Sequence, residues 1–361
     1  MLDSEGTAKH LDEIVFQQVE LNTIAASFGG MASKLLSLHR HVLRSAGLHH
    51  LTDLMPENNP IAGIADAIIC AWKLYKNPQA LVLVVCEEFD INVFDQHCLE
   101  YILQERDVPF TRKTFTELDQ QARLDVKRSL YLGQKEVVVV YYRTGYMPHQ
   151  LDETAWRVRR ILEHSLAACC PDIGTHLAGT KKVQQRLTSD NLSSLGLSDT
   201  CIARLQQTFT TMHSLDEGEE GDMAMQKALA NPSQYVLKPQ REGGGNNLYD
   251  EDIVRALTSG GEGERGMDRA AYILMHRFQP PSSQNVVICP GVPFRVQPCV
   301  SELGVYGTYV RCGTEMILNN CCGHLLRSKS SIQNDGGVIA GIAALDSPCL
   351  VPMSAQPLLK L

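Results

Sequence analysis

YVLKPQREGGGNNLY, residues Tyr235 to Tyr249, opens as a short apolar strand, sets Lys238 at its end, and then runs through charged residues into three glycines and two asparagines. Gly243, Gly244 and Gly245 carry no Cβ, so successive backbone N–H groups can close on an oxyanion. Lys238 adds a positive charge, and Glu242 a carboxylate able to hold a cation between phosphate oxygens. Together they suit a nucleoside triphosphate gripped by a lid loop. For the three glycines alone, a linker without chemistry is the alternative. No Gly-Lys-Ser/Thr follows them and this loop does not have the GxGxxG spacing, so it is neither a Walker A loop nor the dinucleotide fingerprint.

Upstream, residues 80–88 (ALVLVVCEE) form a continuous apolar run of the kind found in buried parallel strands. A helix is expected over 94–106, strands over 108–115 and 137–143, and a helix over 152–170; this alternation predicts an α/β fold with a parallel sheet covered by helices. Ligands of such sheets sit beyond the carboxyl ends of the strands, which selects Asn92, Gln96, Arg143 and Tyr146. An arginine so placed suits a carboxylate; a surface arginine over an aromatic ring fits the spacing equally. Residues 14–22 alternate as a strand that would project Glu20 and Asn22 from one face, an oxygen site for Mg²⁺ or simply a solvated pair. Helices are expected over 31–50 and 61–75. The histidines between His39 and His50 have no matching carboxylate or cysteine set and read as surface or packing residues. Downstream come a helix over 251–257, a Gly/Glu-rich connector over 259–266, and a strand over 270–278. Residues 301–311 alternate as a strand that carries Glu302; further on, a basic strand on which Arg327 and Lys329 stand two positions apart is followed by a Gly/Ala loop.

A hydrophobic fraction of 44%, a charged fraction of 20% and a formal net charge of -8 describe a water-soluble chain without the basic face that broad nucleic-acid or anionic-membrane binding requires. No apolar run is long enough for a bilayer. The polar, acidic start has no signal-peptide h-region, so a cytoplasmic location is expected and the 12 cysteines are expected to remain thiols.

KPQREGGGNN resembles the lid loop of eukaryotic-type glutathione synthetases, members of the ATP-grasp superfamily. VELNTIAASFGG, NVFDQ, RTGYMP and the segment from GHLLRSKSS onward are similar to further motifs of that family, in family order, between about Met1 and Val351. The resemblance implies an ATP-grasp fold with a glycine-rich lid and an inserted parallel-sheet substrate domain: core over 1–77 and 184–361, substrate domain over 78–183, lid over roughly 212–297. It implies ATP-dependent ligation of γ-glutamylcysteine to glycine through an acyl phosphate, with a homodimeric assembly. Mg²⁺ would lie on Glu20, Asn22 and Glu242. ATP would meet Lys181, Lys238, Gly243, Gly244, Gly245, Asn246, Asn247, Tyr249, Met275, Phe278, Glu302, Lys329 and Asp335, with Lys182 an alternative to Lys181. The dipeptide and glycine would meet Ser27, Asn92, Gln96, Arg143, Tyr146, Arg327, Val338 and Ile339, and Arg327, Lys238, Gly244 and Gly245 would act on the reacting groups. Departures from the family pattern stand at Ala25, Asp90, Ile91, Thr144, His276 and Ile339. Family members also carry a preceding segment with a dipeptide-binding arginine, so an inactive nucleotide-binding paralogue, acting as a binding or dimerisation partner, is the second expectation.

Overall fold

The computed structural model describes residues 2–3, 15–188, 190–241, 245–258, 268–288, 293–334, 337–338 and 341–351. Contacts divide the chain into two compact units. One takes residues 1–24, 173–302 and 328–344; the other takes 25–172, 303–327 and 345–361. The boundary falls inside both strands of the long hairpin Gln297–Cys312 and Glu315–Ser330.

In the second unit the six-stranded sheet runs Phe110–Lys113, Leu81–Val85, Lys135–Tyr142, Leu130–Leu132, Ala122–Leu124, with Ala168–Cys170 pairing parallel to the far half of Lys135–Tyr142. All five residues of Leu81–Val85 are buried, as a strand covered on both faces must be. Ala65, Ile68 and Ile69 of the helix Pro60–Leu74 and Leu99 and Leu103 of the helix Val93–Glu105 pack with Val82, Val84 and Val138.

Two expectations are corrected here, and one unexpected element joins the sheet. The helix expected over 152–170 is Glu153–His164 only: the Ser165 hydroxyl donates to the Leu162 carbonyl at 2.6 Å and accepts from the Ala167 amide at 3.1 Å, turning the chain into the strand Ala168–Cys170. The antiparallel hairpin Ala122–Leu124 and Leu130–Leu132 was not expected; its strands are short, and its turn is organised by Asp125 Oδ1, which accepts from the amides of Lys127 and Ser129, each at 2.8 Å. Among the described residues, the strand expected over 14–22 is confined to Val15–Phe16, paired with Leu2–Asp3. Beyond it the backbone finds other partners: the Gln18 amide donates to Thr208 O at 2.7 Å, and Val19 O accepts from Lys238 Nζ at 3.2 Å.

The first unit is built on an antiparallel sheet in the order Leu248–Tyr249, Tyr235–Pro239, Tyr272–His276, Met212–Ser214. Its two faces follow from the two-residue strand period. Leu237 and Leu274, opposite each other in register, face Ala224 and Ala228 of the helix Glu219–Ala230 and Ile253 of the helix Asp250–Thr258. Ile273 and Met275 point the other way, with Met212 and Phe278. Lys238, opposite Ile273, shares that second face.

Candidate functional site

The strand Tyr235–Pro239 therefore delivers a lysine to the same sheet face as Met275. Lys181 comes from the start of the helix Lys181–Thr188, which packs on the strands Tyr272–His276 and Met212–Ser214. Both ammonium groups converge on one carboxylate: Glu20 Oε2 lies 3.1 Å from Lys181 Nζ and 3.8 Å from Lys238 Nζ, and both lysine side chains are 5% exposed. Asn22 Nδ2 donates to Glu20 Oε1 at 3.3 Å. Burial pushes the Glu20 carboxyl up, but Lys238 and then Lys181, with hydrogen bonds from Lys181 and Asn22, outweigh it and hold the group at about 2. Gly179 lets the segment carrying Glu20 come this close, since a Cβ there would stand 2.4 Å from Thr23 Oγ1.

The adjacent lysine is accounted for differently. Lys182 Nζ donates to Ser214 Oγ at 2.7 Å and pairs with the half-exposed Asp216 at 2.5 Å, while its backbone amide donates to Gln240 Oε1 at 2.8 Å. Lys181 is thus the lysine that shares Glu20 with Lys238. Met275 lies in register between Val236 and Met212, so its backbone belongs to the sheet and its buried side chain is what it presents; Phe278 follows the strand's end.

A second group in this unit gathers around Asn334. Its carbonyl accepts from Lys329 Nζ at 2.7 Å and from the Tyr249 hydroxyl at 3.4 Å, and its Oδ1 accepts from Arg277 Nη2 at 2.7 Å. Glu302 lies 3.7 Å from Lys329 Nζ, Asn247 Nδ2 donates to the Tyr249 hydroxyl at 3.5 Å, and the Arg277 guanidinium lies 5.4 Å from the Tyr249 ring centroid. Sequence reading placed Asn247, Tyr249, Glu302 and Lys329 but missed Arg277, Asn334 and Asp250, which pairs with Arg277 at 3.1 Å. Asp250, which opens the helix Asp250–Thr258, and Asn334 stand beside motif residues in the sequence, and that proximity was the signal on offer. Glu242, Gly243, Gly244, Asp335 and Ile339 lie outside the described residues, as does the connector 259–266.

In the other unit Arg143 ends the strand Lys135–Tyr142. It is buried; Nη1 donates to Ala26 O at 2.7 Å and to the Tyr141 hydroxyl at 3.3 Å, and Nη2 donates to Ser27 Oγ at 2.9 Å. Its Nε and Asn92 Nδ2 are buried nitrogens with no hydrogen-bond partner among the described residues. Leaving a buried donor unmade costs about 1–3 kcal/mol, which a ligand acceptor would recover. Gln96 is already engaged: Nε2 donates to Asp90 Oδ2 at 2.5 Å, and Oε1 accepts from Arg112 Nη2 at 2.8 Å. Burial pushes the Tyr146 hydroxyl up, with Arg143 opposing. Thr144, one of the departures, is fully buried and its hydroxyl donates to Glu87.

The loop bearing Ser27 holds two non-glycine residues in left-handed backbone, Ala25 at φ 50° and Phe28 at φ 68°. Each such residue costs on the order of 1–3 kcal/mol and persists only where neighbours fix it. Asp95 does so from the helix Val93–Glu105, accepting from the amides of Phe28 at 2.7 Å and Met31 at 2.9 Å. Arg327 lies close enough to the Tyr306 hydroxyl to oppose the upward push of burial on that group.

Among the described residues no three His, Cys, Asp or Glu side chains converge as a metal cluster. Glu20 and Asn22 nonetheless offer hard oxygen atoms, and Glu20 stays ionised at neutral pH, a donor chemistry that fits Mg²⁺.

Residues 1–350 match the family model described as eukaryotic glutathione synthase, ATP binding domain. The chain is 47% identical over 334 residues to the glutathione synthetase of Homo sapiens, covering 92% of this chain and 70% of the human protein, and it matches the Rattus norvegicus enzyme to the same extent. The chloroplastic enzyme of Solanum lycopersicum is 40% identical over 339 residues, 92% of this chain and 61% of that protein. In fold, a glutathione synthetase-like effector from Globodera pallida in apo form superposes with a TM-score of 0.71 at 23% identity, over 95% of this chain and 74% of the effector. With a family model spanning nearly the whole length, and close identity across most of it, this chain belongs to the eukaryotic glutathione synthetase family.

Proposed function

We propose that this chain joins γ-glutamylcysteine to glycine with ATP, and that the residues described above divide the work between its two units. The observation that carries the assignment is the convergence of two buried lysines, Lys181 and Lys238, beside Glu20 on one sheet face: two ammonium groups held at one place are the donors that a polyphosphate takes up. Lys238 and Lys181 bind the phosphates, and Met275 and Phe278 give the adenine an apolar face. Asn246, Asn247, Tyr249, Glu302, Lys329 and Asp335 complete the nucleotide site.

In the other unit, Arg143, Asn92, Gln96, Tyr146 and Ser27 hold the dipeptide, whose anionic groups suit the unpartnered nitrogens of Arg143 and Asn92. An oxygen of its glycine-accepting carboxylate attacks the γ-phosphorus of ATP, the P–O bond to the β-phosphate breaks and ADP leaves; the amine of glycine then attacks the carbonyl carbon of the acyl phosphate and gives up a proton to solvent, the C–O bond to phosphate breaks, and phosphate leaves. Arg327 steadies the reacting carboxylate, Gly243, Gly244 and Gly245 cover it against water, and Val338 and Ile339 border the glycine pocket. Mg²⁺ would be held by Glu20, Asn22 and Glu242 and would neutralise charge on the phosphate oxygens. The scheme assigns residues 78–183 to substrate binding, residues 1–77 and 184–361 to the ATP-grasp core, and roughly 212–297 to the lid. We place the protein in the cytoplasm as a homodimer; free cysteines throughout the described residues support a reducing compartment, and sedimentation tests the assembly.

The division of labour is tested by steady-state kinetics. Lys238→Ala should raise KM for ATP about 10- to 100-fold and leave KM for γ-glutamylcysteine within twofold, as expected for loss of a charged hydrogen bond. Arg143→Ala should do the reverse. Equal effects of both variants on both substrates would refute the assignment.

A further inference from the structure

The loop Ala25 to Phe28 is held from a second direction that no motif announces. Tyr306, on the strand Gln297–Cys312, donates its hydroxyl to the Ser27 carbonyl at 2.6 Å. Arg143 holds Ala26 O and Ser27 Oγ from the parallel sheet, Asp95 holds the Phe28 amide from its helix, and Tyr306 holds Ser27 O from the long hairpin. The Met31 amide, the donor that a helix beginning here would ordinarily offer to Ser27 O, is instead taken by Asp95. That leaves the carbonyl to an outside donor, and the phenol supplies it. Two left-handed residues within four positions give the loop reason to relax once a restraint is lost. Burial pushes the phenol well above its ordinary range, so it remains a donor at every working pH.

We propose that Tyr306 is a positioning residue for γ-glutamylcysteine, fixing Ser27 and, through it, the orientation of the Arg143 guanidinium. The inference rests on the assignment of Ser27 and Arg143 to the dipeptide. It makes Tyr306 a determinant of dipeptide affinity. The half-buried ring gives the hydroxyl a fixed approach, so its loss in phenylalanine leaves packing in place while freeing the loop.

The test compares wild type, Tyr306→Phe, Tyr306→Leu and Arg143→Ala. It uses steady-state constants for the three substrates, calorimetric titration with γ-glutamylcysteine, and thermal unfolding. Tyr306→Phe should weaken dipeptide binding and raise its KM about 5- to 30-fold, with kcat at saturation within threefold, KM for ATP and glycine within twofold, and the melting temperature nearly unchanged. Tyr306→Leu should show the same selective loss with lower stability. If Arg143→Ala weakens dipeptide binding but Tyr306→Phe does not, the site stands and the positioning role is overturned. If kcat and all three KM values shift together in Tyr306→Phe, the hydroxyl is structural only. If neither variant alters dipeptide binding, the assignment of the site fails and the inference fails with it.

Discussion

Glu20 is held at about 2 by two lysines, with burial opposing them, and this has a measurable consequence. A carboxyl whose folded value lies below its ordinary 4.5 contributes stability that is complete above pH 4.5 and is lost as pH falls toward 2. In metal-free buffer, Glu20→Gln should be less stable than wild type at pH 7 by about 1–3 kcal/mol, because two ammonium groups then face a neutral amide. Denaturant melts should show the gap closing as pH falls through that window; a gap independent of pH would mean that the carboxylate is not paired. Residues of this kind were legible where a motif carried them, as with Glu20, Lys238 and Arg143. Tyr306, Arg277 and Asn334 were not: the Tyr306 contact spans 279 positions, and no local spacing marks a hydroxyl that serves a backbone carbonyl.

At the scale of elements, the helix Pro60–Leu74 and the hairpin strand Glu315–Ser330 approach closely enough to require glycine. A Cβ on Gly63 would stand 2.2 Å from Cys322 Cβ, and Asn58 clasps the His324 backbone, donating to its carbonyl at 2.8 Å and accepting from its amide at 2.9 Å. Gly63→Ala should cost about 1–3 kcal/mol by overpacking, and combining it with Cys322→Gly should recover part of that loss in a double-mutant cycle. Strictly additive effects on unfolding would show that the helix and strand can separate without penalty. Apolar runs such as Leu81–Val85 were readable because a strand buried on both faces leaves no room for polar residues. The hairpin around Asp125 escaped notice because strands of three residues are too short to show a period, and the alternation read over 14–22 outran the pairing, which among the described residues reaches only Val15–Phe16. The helix expected over 152–170 ran past its end because Ser165 ends it with a side-chain hydrogen bond that apolar patterning does not reveal.

Across the molecule, the residues assigned to the nucleotide fall in one compact unit and those assigned to the dipeptide in the other, with Arg327 and Lys329 on either side of the boundary within one strand. Ligation by way of an acyl phosphate requires that a carboxylate oxygen of the dipeptide take the γ-phosphoryl group of ATP. The direct measurement is to supply γ-glutamylcysteine labelled with ¹⁸O in the carboxylate that becomes the amide, together with ATP, Mg²⁺ and glycine, and to follow the label. Passage through an acyl phosphate predicts one labelled oxygen in each inorganic phosphate released and one retained in the amide carbonyl of glutathione. Unlabelled phosphate, or ATP binding without any glutathione formed, would contradict it.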